Sequence, residues 1–452
     1  MPPLVALLLC TAFVLFLLRL ERRTSPDVSL AVWIPTLWMM TMASRPLGIW
    51  FSSGQTHLAG GNESGSELDR WMLTVLGVLA IIVFVRRRSD WWASLRQQKW
   101  LVAVLVYMFV STFWSDFTLV ALRRWVREII VVVMALLLMS ESSPKQALAS
   151  VLRRCAYVLI PFSIVLIKYY PALGRVYGRF SGVEMWTGVT GQKNQLGRLC
   201  LISAFFLLWA LFRRSRERRP EDGRYQGWAD AAVVLMALYL LKGSDSATSI
   251  AILAVGSATL LGLRSFRKLK FTVPIAGLLA LVIFLIAFGT STPFLGGSSV
   301  AGITSSLGRD STLTGRTEVW ADVLPARGQQ PLLGYGLGSF WTDARRKLYD
   351  IPTAHNGYLD ILLELGEVGF AFYVGWLLSC TRQLHRALAQ DYDWASLAIC
   401  FLVMCLLYNI TESALNTFTE QMTAVLALAS LVVSHRPSLA SIPTSSPNVP
   451  AG

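Results

Sequence analysis

Charge is scarce in this sequence: 15% of its 452 residues are Asp, Glu, Lys or Arg, against 54% apolar, and the mean hydropathy is +0.52. That composition excludes a soluble domain of this length. Histidine occurs four times, and no Asp-x-Asp pair or His/Asp ligand spacing is present; Glu67-Leu68-Asp69 comes nearest. A metal site and a metal cofactor are therefore not expected. No Ser or Cys nucleophile motif occurs. The six cysteines (Cys10, Cys155, Cys200, Cys380, Cys400, Cys405) have neither framework nor ligand spacing and are expected as lipid- or core-facing thiols. There is no internal repeat of fixed period. No parallel-sheet pattern surrounds the glycines of 331–340, so they read as a tight turn that lets the backbone pass close to something, rather than as a nucleotide loop.

What the sequence does have is long apolar runs. A spanning helix needs about 20 mostly apolar residues, and the runs 3–20, 29–51, 71–85, 101–114, 119–139, 149–167, 195–212, 227–242, 246–263, 271–289, 364–380, 395–410 and 418–433 qualify or come close. The expected fold is an all-α polytopic integral membrane protein with roughly 12–13 transmembrane helices. Residues 1–289 form the first group of spans, with a basic outer loop at about 168–195. A long late loop follows over 290–363, then the last spans over 364–435 and a Pro- and Ser-rich tail over 436–452, expected to be disordered. Residues 3–20 lack a basic leading region and run into Glu21-Arg22-Arg23, so they read as a retained span rather than a cleaved signal.

A formal net charge of +14 could suggest nucleic acid, but the cations form short clusters between apolar runs. Arg22-Arg23, Arg86 to Arg88, Arg213 to Arg219 and Arg264 to Lys270 fall on alternate loops, which the positive-inside rule makes cytoplasmic. Thirteen spans then put the amino terminus outside and the carboxy terminus inside.

Against that pattern, the outer loop after the sixth span carries Lys168, Arg175, Arg179, Lys193 and Arg198 with Glu184 as its one acid. An anionic ligand explains the bias; a locally inverted topology or pairing with lipid phosphates are the other readings. The fifth span poses the same question, since it carries Arg123, Arg124 and Arg127 at spacings that let the guanidinium groups converge. Intramembrane cations are functional candidates, although Arg124 and Glu128 could form a local i,i+4 pair. In the late loop, 314–325 reads as a short helix capped by Thr314, with Arg316 in its first turn, ending before Pro325.

Of the four histidines, His385 and His435 are cytoplasmic by the charge pattern and His57 lies in a Gly-, Ser- and Asn-rich loop. His355 stands just ahead of a helix start, where the positive end of the dipole favours a neutral ring able to accept a proton. Outward arginines with one histidine suit binding a diphosphate and moving a proton.

Four stretches then carry a family resemblance: GVTGQKNQLGR (188–198), TGRTEVW (314–320), PLLGYGLGSF (331–340) and HNGYLDILLELGEVG (355–369), with WSDFTLVALRRW (114–125) before them. In this order between spans, over about residues 110–420, they resemble the O-antigen ligase and Wzy-type polymerase family and the related exopolysaccharide polymerases. The resemblance implies a GT-C-like glycosyltransferase of the bacterial inner membrane with its late loop and active site in the periplasm. It would need neither metal nor cofactor, and would pass a glycan with inversion from an undecaprenyl-diphosphate-linked donor to the hydroxyl of a lipid A-core sugar or growing polysaccharide. His355 then looks like the catalytic histidine. Arg175 or Arg179, with Arg316, look like the diphosphate-binding arginines, and Lys193 and Arg124 join that donor-binding set. Asn194, Asn356 and Glu318 would line the site. A transporter or flippase for a lipid-linked or anionic substrate is the alternative; the long late loop and one-sided polar residues favour the enzyme over the paired halves common in transporters.

Overall fold

The structure, a computed structural model, describes residues 1–51, 66–87, 96–177, 182–215, 221–266, 316–349, 351 and 353–435, with backbone alone at 221–223, 316–319 and 321. Among the described residues, twelve of the thirteen apolar runs form helices; the run 271–289 lies outside them. They are α1 (Pro3–Thr24), α2 (Trp33–Met42), α3 (Glu67–Arg86), α4 (Lys99–Ser111), α5 (Thr118–Met139), α6 (Pro144–Tyr169), α7 (Lys193–Arg214), α8 (Glu221–Gly243) and α9 (Ala247–Phe266). Two short helices of the late loop follow, α10 (Arg316–Arg327) and α11 (Asp343–Tyr349), and then α12 (Gly357–Ala387), α13 (Tyr392–Thr411) and α14 (Gln421–Ser434). Helices close their backbone hydrogen bonds internally, which is what a chain this apolar needs in lipid. Seven of the described helices are long and apolar enough to cross a membrane unaided: α1, α3, α6, α7, α9, α12 and α13. The fold is an all-α polytopic membrane protein. Its one strand pair among the described residues is an antiparallel hairpin, β1 (Arg175–Tyr177) with β2 (Glu184–Trp186), Arg175 opposite Trp186.

The apolar windows of α6, α7 and α13 are 83%, 78% and 83% buried, against 28%, 11% and 22% for α1, α3 and α9. The first three therefore form the centre of the bundle and the others present their side chains to lipid. All six cysteines are free and buried, so they are core-facing. Two sets of buried charges pair across helices. Arg154 of α6 meets Glu21 of α1 at 2.8 Å and stacks on Trp33, while Arg153 and Tyr157 of α6 share Asp230 of α8 at 3.1 and 2.5 Å. Each ion meets its counter-ion from a neighbouring helix, although Glu21 Oε1 and Arg154 Nη1 are left without a hydrogen-bond partner.

Contacts between connecting segments separate the two ends of the bundle. At one end Arg87 and Ser29 meet Glu141, and Lys145 meets Asp391. At the other, Arg45 binds Thr187 and Thr190, Lys193 meets Asp245, Thr411 meets Thr248, and Leu337 N–H donates to Ser111. The alternation is the one the charge pattern of the loops leads one to expect. The second end, the loop end, collects the polar segments.

Two local expectations need correction. Helix α10 does not stop before Pro325 but runs through it to Arg327, ending two residues after a proline that cannot donate a helical hydrogen bond. Thr314 lies outside the described residues. The second concerns α12, which begins at Gly357 and breaks at Gly366, where φ is +66° and ψ −169°. The segment after α10 docks into the break. Glu367 and Val368 N–H donate to the Pro331 and Leu332 carbonyls at 2.9 and 3.1 Å, and Tyr335 and Gly336 N–H donate to the Leu363 and Glu364 carbonyls at 3.0 and 2.8 Å. Backbone groups freed by the kink are thus repaired from outside the helix. Gly334, also at positive φ, lies so close that a Cβ would stand 2.5 Å from Gly366 N. The close passage expected of the glycine turn is onto α12.

Candidate active site at the loop end of the bundle

His355 occupies a backbone conformation that non-glycine residues seldom adopt, with φ +50°. Its neighbours on both sides hold it there. Ala354 N–H donates to Asp360 Oδ1 at 3.2 Å and the Ala354 carbonyl accepts from Trp320 Nε1 at 2.8 Å. The same Asp360 oxygen accepts from Trp341 Nε1 at 2.7 Å. Asn356 caps α12, its Oδ1 accepting from Tyr358 and Leu359 N–H at 3.0 and 3.1 Å. Trp320, Trp341, Ala354 and Leu359 belong to a small apolar cluster, with Val323, Tyr335 and Phe340, that seats α10 on the first turns of α12. The strained turn persists because what surrounds it over-determines it.

The imidazole faces Glu412, with Nδ1 3.5 Å from Oε2. Glu412 follows the last residue of α13, and its other oxygen accepts from Asn194 Nδ2, in the first turn of α7, at 2.7 Å. The histidine side chain is 29% exposed and the glutamate 12%, so Nε2 is the nitrogen left for a ligand. One turn further along α7, Arg198 pairs with Glu420 at 2.6 Å and lies over the Tyr408 ring.

The segment 412–420 that presents Glu412 is fixed from beneath. Asn409 is fully buried; it donates to the Cys405 carbonyl at 2.7 Å and accepts from Ala414 and Leu415 N–H at 3.0 and 2.5 Å. Glu128 of α5 accepts from Thr417 Oγ1 at 2.7 Å and from Phe418 N–H at 2.5 Å. Glu128 is therefore not the local partner of Arg124, whose guanidinium instead donates to the Gly338 carbonyl. Of the three arginines of α5, Arg123 is exposed while Arg124 and Arg127 are half-buried.

The sequence-predicted cations sit as follows. Lys193 lies beside Asn194 and meets Asp245 at 3.5 Å. Arg175 donates to both oxygens of Glu184 across the hairpin, at 2.9 and 3.0 Å, and to the Ile167 carbonyl. Trp186 of that hairpin lies against Gly243, at the turn that carries Asp245. Arg175, Lys193, Asn194 and His355 thus belong to one continuous set of loop-end contacts, while Arg124 reaches it through the 331–340 segment. Arg179 lies outside the described residues, and Arg316 and Glu318 are placed by backbone only, at the start of α10. Asn356 adjoins the site, with its Oδ1 engaged in the cap.

Two carboxylates central to this arrangement were not anticipated as site residues. Asp360 is within α12, where an acid in an apolar helix is itself the signal. Glu412 stands at the end of an apolar run in a short segment that also holds Glu420, and nothing in its spacing points to His355 or Asn194.

Comparison with known proteins agrees with this architecture. The O-antigen ligase family model matches residues 231–374, a segment that contains Arg316, Glu318, His355 and Asn356 and stops short of Glu412. The chain is also similar to the exopolysaccharide production protein ExoQ of Rhizobium meliloti (strain 1021), 28% identical over 312 residues, covering 66% of this chain and 68% of that protein. Fold, matched family model and relative together support an O-antigen ligase/polymerase-like family for this multi-pass helical membrane protein.

Proposed function

We propose that the protein is a glycosyltransferase that moves a glycan from an undecaprenyl-diphosphate donor to an acceptor hydroxyl, with inversion and without a metal, at the periplasmic face of the inner membrane. The observation that carries this reading is His355, its imidazole held at the loop end beside Glu412 and its backbone fixed on both sides. In the reaction the acceptor oxygen forms a bond to the anomeric carbon as the bond from that carbon to the diphosphate oxygen breaks. The hydroxyl proton passes to His355 Nε2, and the electron pair leaves with the polyprenyl diphosphate. Negative charge grows on that leaving group. Arg316, Lys193 and either Arg175 or Arg179 are the cations assigned to it, and fixed cations aimed at developing charge are worth more than cations that must reorganise. Arg175 would exchange Glu184, which it now holds through Nη1 alone, for phosphate oxygens, with which a guanidinium can make a two-nitrogen contact. The acceptor is a lipid A-core sugar or a growing polysaccharide.

The test is transfer by purified protein in lipid nanodiscs, with a synthetic undecaprenyl-diphosphate glycan, a panel of sugar acceptors and a chelator. Wild type is expected to release polyprenyl diphosphate as one acceptor gains the glycan. His355→Ala should bind donor but transfer roughly 10²–10⁴-fold more slowly, the usual contribution of a general base. Equal rates would remove His355 from the chemistry. Movement of the intact lipid between leaflets with no release by wild type would show a transporter instead.

A further inference from the structure

We infer that Glu412 and Asn194 form a relay that positions His355 and selects the ring nitrogen that takes the proton. This rests on the reading of His355 as proton acceptor and adds two residues to it. Glu412 is 9% exposed and stands at the carboxy-terminal end of α13. A buried carboxylate is costly, and the negative end of a helix dipole makes this position worse. Its partners answer that cost from two other helices. Asn194 donates to Oε1 at 2.7 Å from the first turn of α7, where the dipole is positive, and His355 Nδ1 faces Oε2 at 3.5 Å from the start of α12. Two oxygens thus have two different duties. With Oε1 occupied by Asn194, Oε2 is the one that accepts Nδ1–H, so the neutral ring keeps its lone pair on Nε2. At 3.5 Å the two atoms are in contact but not yet hydrogen-bonded, and catalytic contacts of this kind commonly tighten only when substrate binds.

In the transfer step the acceptor hydroxyl proton moves to Nε2 while Nδ1 keeps its own. The imidazolium so formed carries one positive charge beside the Glu412 carboxylate, which needs no proton of its own. The logic is that of a carboxylate holding a catalytic imidazole in one tautomer. Glu412 is thus a positioning residue, and Glu420, engaged with Arg198, cannot replace it.

The test combines kinetics with nitrogen-15 NMR of histidine-labelled protein in nanodiscs. The chain has four histidines, so the His355 signals are assigned by their loss in His355→Gln. Wild type should show a neutral ring protonated at Nδ1. Glu412→Gln must present its amide NH2 either to Asn194 or to His355, and should shift the ring toward the Nε2–H tautomer. With the undecaprenyl-diphosphate glycan, its kcat should fall about 10²-fold or more while KM for the donor stays within about twofold. Glu412→Asp should recover part of the loss. Asn194→Ala, which leaves the carboxylate in place, should give the same tautomer shift in milder form and serves if Glu412→Gln cannot be purified. Combining Glu412→Gln with His355→Ala should slow transfer no further than His355→Ala alone. An unchanged tautomer in Glu412→Gln overturns the relay, as does normal turnover of Glu412→Gln beside an inactive His355→Ala; both outcomes leave the proton-acceptor role standing. Full activity of His355→Ala overturns that role and the relay with it.

Discussion

Ala354, the residue before His355, is held at both of its backbone polar atoms by side chains: Trp320 takes its carbonyl and Asp360 its N–H. Trp320→Phe removes the first bond while keeping most of the ring in its apolar cluster. It is expected to cost about 0.5–1.5 kcal/mol of stability, the net worth of a typical hydrogen bond, and to slow transfer more than that loss implies, because the turn that aims His355 is loosened. Thermal melting and transfer assays on the same preparation check both. Side-chain chemistry at this scale was only partly legible in the sequence. His355 could be singled out because the other three histidines fall on the far side or in a loop rich in Gly, Ser and Asn. Glu412 could not, because its partners, Asn194 and His355, come from distant parts of the chain and only the packing of α7, α12 and α13 brings them together. Asn409 shows the same limit: a single polar residue at the end of an apolar run, it proves to be a buried staple of the 412–420 segment.

Among the elements, the helices were legible and their interruptions were not. An apolar run announces a membrane helix by composition, and the twelve described runs are all helical, seven of their helices being long and apolar enough to cross a membrane. Gly366 lies inside such a run, and only the docking of Pro331–Gly336 shows that the helix breaks there. Gly334→Ala puts a methyl group against the backbone of Gly366 and Glu364 at a position of positive φ. Its expected cost is about 1–3 kcal/mol from backbone strain alone, with more from the displaced loop. Faster proteolytic cleavage within 331–340 in the detergent-solubilised variant, together with a lower melting temperature, would bear this out. Wild-type resistance would show that the break does not depend on the dock.

At the level of the whole molecule, the ends of the bundle are distinguished by which segments meet, and the periplasmic side proposed for the loop end rests on the loop charges alone. Orientation is open to direct measurement because all six native cysteines are buried and free. Leu173→Cys, exposed at the loop end, is expected to react in intact cells with a thiol reagent that does not cross the inner membrane, while Gln390→Cys, exposed at the other end, reacts only after permeabilisation. The reverse pattern would invert the protein and remove the periplasmic assignment of the site. What the sequence could not convey at this scale is that buried ions tie the bundle together. Arg153, Arg154, Glu21 and Asp230 lie in or beside apolar runs whose composition already explains a span, and only tertiary packing shows that they join α1, α6 and α8.

The exchange of hydrogen bonds across the break in α12 also bears on how the chain is made. Synthesis proceeds from Pro331 toward Val368, so the docking segment exists before the helix it completes. Glu367 and Val368 can meet their carbonyl partners as soon as they emerge, with no later segment threaded back past the bundle. Had α12 entered the bilayer as one straight rod of 31 residues, the Pro331 and Leu332 carbonyls would have waited without their donors. The bend is therefore expected to be acquired during insertion, as the nascent helix joins a loop already in place.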